Sequence, residues 1–195
     1  MTAAIAIVLL LATVVQLGAL VALHVLPTGL SPIVDPVSQY ALTRYSAGYT
    51  VSAVSAAVAG VAAALILGGL SGGAVAAALL WVFAAARAVI PAVPMDEPAS
   101  TPTRKGRLHN LLATVAFAAV TAASFVALGA MGLAGGSGAS NATLATGIVM
   151  AIGAVGIVLC RVAVSLRRVF GVAERLIYLG FIVWFVAIGI VALAS

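Results

Sequence analysis

Charge is scarce in this chain. It has nine basic and four acidic residues, 7% of its length, where a soluble domain carries about 25%. Hydrophobic residues make up 65%, so a soluble fold would have too little polar surface to cover its core. A lipid bilayer accepts such a composition. Cysteine is reduced to Cys160, inside an apolar run. That excludes an intrachain disulfide and any cysteine-based metal cluster, and leaves Cys160 as a small buried hydrophobe. The start, Met1-Thr-Ala-Ala-Ile5, lacks the basic segment of a secretion signal, and the first apolar run is expected to be a retained helix. The formal net charge of +5 does not point to nucleic acid, because the bases are spread over short segments between apolar runs.

What remains is a series of apolar runs of membrane-crossing length, about 20 residues each. The expected fold is all-α, a single domain over residues 1–195 forming a polytopic six-helix transmembrane bundle. The spacing predicts helices over about 2–26, 46–70, 74–90, 107–133, 142–164 and 172–194. Pro27 and Gly29 stop the first, Pro91 ends the third, and the Gly/Ser-rich stretch 134–141 reads as a flexible turn. In the second helix Ser52, Ala56, Gly60, Ala64 and Gly68 form a stripe of small residues at i, i+4 spacing. Such stripes let membrane helices approach closely. This one is a packing face, either within the chain or against a second copy, the latter making a homo-oligomer.

The charges organise this count. Arg44 falls in the first loop, Arg104, Lys105 and Arg107 in the third, with Arg87 one turn away, and Arg161, Arg167, Arg168 and Arg175 flank the fifth. Loops two and four carry no base. Basic residues mark the cytoplasmic side of a membrane, so loops 1, 3 and 5 are expected in the cytoplasm and both termini outside, in a cell inner or plasma membrane. The acids Asp35, Asp96, Glu97 and Glu174 and the histidines His24 and His109 keep to the same end.

Ionisable groups at membrane depth are costly and face an interior, a cavity or the headgroups. A polar pocket at loops 1 and 3 is therefore expected, suited to a lipid headgroup or a small solute. The longest polar run, Pro91 to Asn110, supplies most of its residues. Three further readings stay open. His24, Asp35, Asp96 and His109 have the chemistry to hold a divalent metal such as zinc, although no metal-binding spacing is present. Asp96, His109, Asp35 and Ser38 would serve as acid, base and nucleophile in a lipid-active hydrolase. Arg87, Arg104 and Arg107 would attract lipid phosphates, and Arg87 would alternatively pair with Asp96.

Three motifs carry a resemblance: Asp35-Pro-Val-Ser-Gln-Tyr40 in the first loop; Pro94-Met-Asp96 followed by Gly106-Arg-Leu-His109; and Gly171-Val-Ala-Glu-Arg175 with Trp184. Together they resemble a membrane protein family of bacteria and archaea known as domain of unknown function 998 (DUF998), over essentially the whole chain. The resemblance implies a compact six-helix membrane protein and supplies no reaction. It draws attention to Asp35, Ser38, Asp96 and His109. Where such proteins carry Gln-Arg in the last helix, this chain has Glu174-Arg175.

Overall fold

A computed structural model describes residues 2–98 and 100–194. Six helices are long and apolar enough to cross a membrane: α1 (Thr2–Val25), α2 (Ser46–Gly68), α3 (Ala74–Val89), α4 (Arg104–Val126), α5 (Leu128–Val162) and α6 (Phe170–Ala194). Short 3-10 turns lie at Val37–Leu42, Ile90–Ala92 and Val164–Val169. Each helix packs on the next in sequence, and α6 returns to α1, so the six close a ring. The ring is collapsed: α2 and α6 are the most buried helices, while α1 and α5 keep a broad apolar outer face.

The helix ends differ from the expected ones where local chemistry intervenes. α4 starts at Arg104, one turn earlier than its apolar pattern suggests, because Thr103 caps it: the Thr103 hydroxyl accepts from the Gly106 N–H at 3.0 Å. Arg104, Lys105 and Arg107 therefore ride on the first helical turn. The helical ladder passes across Ala127, with Ala127 N–H donating to Ala123 O and Met131 N–H to Ala127 O. Reversal comes at Gly136 alone, whose φ of 73° suits a residue without Cβ. The rest of the expected flexible turn, residues 137–141, is already helical.

Close backbone approach holds the bundle together. The α2 stripe is occupied within the chain: Ser52, Ala56, Gly60 and Ala64 are buried, and a Cβ on Gly60 would fall 2.7 Å from Phe83 Cδ1 of α3. Gly60 and Gly68 of the stripe thus pack on α3. On α5, a Cβ at Gly153 would fall 2.6 Å from the Ala173 carbonyl oxygen of α6. Between these contacts runs an aromatic column. Phe83 meets Phe181 and Phe185 edge-on at 5.4 and 5.8 Å, and Phe181 meets Tyr178 at 5.3 Å. Edge-to-face pairs add about 0.5–1.5 kcal/mol each beyond burial.

Candidate functional site

Two seams tie the loops to one end of the bundle. In the first, loop 1 is held by the start of α6. Arg175 Nε donates to His24 Nε2 at 2.7 Å, and its Nη1 donates to the carbonyls of Asp35 (2.9 Å) and Gly171 (3.0 Å). Its Nη2 reaches the Tyr40 hydroxyl at 3.5 Å. The Val37 N–H donates to Glu174 Oε2 at 2.7 Å, and Val172 N–H to Ile33 O at 3.2 Å. Gly171 is required here, since a Cβ would press on the carbonyls of Pro32 and Asp35. The motifs Asp35–Tyr40 and Gly171–Arg175 are thus two halves of one joint.

In the second seam, loop 3 is held by the start of α4. The Asp96 carboxylate accepts from the Thr103 hydroxyl at 2.6 Å and from the Thr103 N–H at 3.0 Å. Any side chain at position 106 would collide with that carboxylate, which accounts for Gly106. These two Thr103 donors, hydroxyl first and N–H second, hold the Asp96 carboxyl below its usual range. An anion here also offsets three cations placed at the positive end of the helix dipole. His109 completes the seam: its Nδ1 lies 2.7 Å from the Val93 carbonyl.

The candidate residues divide accordingly. Asp35 accepts from the Ser31 N–H at 2.7 Å within its own loop. His24 lies in the first seam, with Nδ1 2.6 Å from the Leu20 carbonyl, and Asp96 and His109 lie in the second. The four are not gathered: among the described residues, no three or more His, Cys, Asp or Glu side chains come close enough to hold a metal ion. Asp96 is not paired with Arg87. Arg87 is 1% exposed, with its guanidinium carbon 5.3 Å from the Tyr178 ring centre and its Nε and Nη2 without partners. Arg104 and Arg107 are exposed on α4.

Between the two seams lies a cavity of about 280 Å³. Pro36, Ser38 and Glu174 line it from the first seam, and Met95, His109 and Asn110 from the second. Apolar residues complete its lining, with Phe117 and Ala118 of α4, Ala154 and Val158 of α5 and Ile177 of α6. Asn110, Thr114 and Ala118 are exposed at i, i+4 spacing on α4, and Val158 and Arg161 are exposed at i, i+3 spacing on α5. The cavity therefore opens sideways between α4 and α5, on the outer surface of the bundle. From Asn110 to Ala118 it runs about 12 Å along the helix axis. Ser38 and His109 share the cavity, and no hydrogen bond joins them.

His109 is the informative wall residue. It is 1% exposed and its Nε2 has no hydrogen-bond partner. A carbonyl only accepts, so Nδ1 beside Val93 carries a proton. Glu174, 5% exposed, uses Oε2 on Val37 and makes no bond through Oε1. One carboxyl oxygen of a cavity-lining residue is thus left with nothing bonded to it. Sequence reasoning passed over Glu174 and Arg175 as site residues; the available signal was an acid–base pair set just inside an apolar helix, after Gly171.

Six membrane-length apolar helices in a closed ring, with polar joints gathered at one end, define a multi-pass integral membrane protein. Within that class the chain belongs to the family described as "Protein of unknown function (DUF998)", whose model matches residues 10–191. No curated protein and no solved structure matches it.

Proposed function

We propose that this protein binds a membrane lipid by its headgroup in the cavity between α4, α5 and α6. The observation that carries this reading is a cavity that opens sideways and is lined by Glu174, whose Oε1 makes no bond within the protein. A polar atom left without a partner away from water is costly, and a ligand that donates to it recovers that loss. The volume is near the lower end of the range for ligand pockets: it suits a headgroup, with the acyl chains left in the bilayer through the α4–α5 opening. A water-soluble ligand has no need of that lateral exit.

The placement of bases at one end supports a cytoplasmic position for loops 1, 3 and 5, with the termini outside, so the headgroup would come from the inner leaflet. A reporter active only in the cytoplasm, fused to the C-terminus, is expected to be inactive; activity there would reverse the orientation. The binding reading is tested by native mass spectrometry of the detergent-purified protein. One retained phospholipid per chain is expected, lost in Ala118→Trp, which fills the opening from an exposed position. A wild type that carries and takes up no lipid would overturn it.

A further inference from the structure

Resting on that reading, we infer that the preferred ligand is an anionic phospholipid whose headgroup ends in hydroxyls. Three features of the cavity point to it. First, its buried polar wall offers an acceptor: Oε1 of Glu174, which is not bonded within the protein. The matching ligand group is a donor, either a hydroxyl or an ammonium. Second, the surroundings disfavour the ammonium. Glu174 lies within electrostatic reach of two guanidinium groups, Arg175 and Arg87, and His109 is within reach of Arg87. An added cation would meet two positive charges behind one carboxyl group, in a medium where charges are poorly screened. A neutral hydroxyl donates the same bonds without that repulsion. Third, the mouth is basic. Arg161 lines the cavity, and it also lines an adjoining open hollow together with Arg167, Pro36 and Phe170. A phosphate placed there, at headgroup depth, would meet Arg161 and Arg167 while its hydroxyl-bearing end reaches inward to Glu174. Ser38, Asn110 and Thr114 add hydroxyl and amide groups along the way.

The experiment measures binding to purified full-length protein in detergent by native mass spectrometry, with three probes of equal acyl chains. Phosphatidylglycerol carries the phosphate and two hydroxyls, phosphatidylmethanol the same charge without hydroxyls, and phosphatidylethanolamine an ammonium. Phosphatidylglycerol is expected to bind about tenfold more tightly than either of the others, as befits one bond to an otherwise orphaned acceptor. Glu174→Gln keeps an oxygen for the Val37 N–H and turns the other atom into a donor. It should reduce the preference for phosphatidylglycerol over phosphatidylmethanol to near onefold. Equal binding of all three lipids, abolished by Ala118→Trp, would overturn the headgroup assignment and leave the lipid-binding reading standing. Absence of binding by any of them would overturn both. Soluble glycerol phosphate binding as tightly as the lipid would overturn the membrane source of the ligand.

Discussion

α5 meets its two neighbours in opposite ways. Against α6 it is packed along most of its length, with Gly153 on the backbone of Ala173 and Gly156 against the Ala173 side chain. Against α4 it is close at Gly147, which sits on Ser124 and Phe125 about three turns past the Gly136 reversal; farther along, the two helices part around the cavity. Phe117 of α4 turns to α6, edge-on to Tyr178 at 5.7 Å, and does not fill the gap. Membrane helices gain no hydrophobic drive from one another and associate through close packing. A missing close contact between sequential helices therefore marks a place where a lipid can substitute for protein.

That contrast can be broken from either side. The largest effect is expected at the packed face. Gly153→Leu puts a side chain into the α6 backbone, and overpacking of a filled interior costs about 1–3 kcal/mol, occasionally more; this backbone clash belongs at the upper end. A large drop in thermal unfolding temperature in detergent should report it, and an unchanged midpoint would mean α5 and α6 are farther apart than described.

Arg175 comes next. Arg175→Lys keeps the charge but cannot serve His24, the Asp35 and Gly171 carbonyls and Tyr40 together, because only the planar guanidinium presents donors in a fixed fork. A loss of about 1–2 kcal/mol is expected, below the full worth of such bonds because the residue is half-buried. Stability equal to wild type would show that the charge alone, without the fork, secures loop 1.

A smaller loss, about 1 kcal/mol, is expected from Thr103→Ala, which removes the α4 cap and a donor to Asp96. The same cap has a pH signature. The folded Asp96 carboxyl titrates below its unfolded value of 3.8, so its contribution is complete above that value and is lost as pH falls through the lower folded one. Asp96→Asn should flatten this part of the acid limb of a stability profile. An acid limb identical in the variant would remove Asp96 from that role.

The smallest structural effect is expected on the open side. Ala118→Trp, at an exposed position, should change stability by no more than about 0.5 kcal/mol while abolishing lipid retention. A loss of stability comparable to that of Gly153→Leu would mean the α4–α5 gap is packed protein surface after all.

Much of the fold was legible in the chain. Length and apolarity mark six crossings, and the one-sided placement of bases, acids and histidines marks the end where polar chemistry gathers. The quartet His24, Asp35, Asp96 and His109 was not resolved by the same reasoning. Each residue type can cap, pin a loop, bind metal or carry a proton, and a linear pattern does not say which partner it meets. Asp96 proves to cap α4 through Thr103, Asp35 to close a turn on Ser31, and His24 to accept from Arg175. Only His109 keeps a nitrogen without a partner, its Nε2, buried behind the ring that lines the cavity.

What the sequence by itself determined is the class of object: lipid solvation forces each uninterrupted apolar run to satisfy its own backbone as a helix, and that is a local requirement readable residue by residue. The tertiary structure decided which helices touch, that Gly60 of the α2 stripe faces α3, that Glu174 and Arg175 clasp loop 1, and that α4 and α5 part to leave a cavity. Those outcomes depend on side chains far apart in sequence competing for the same volume and the same hydrogen-bond donors, and only the assembled bundle settles that competition.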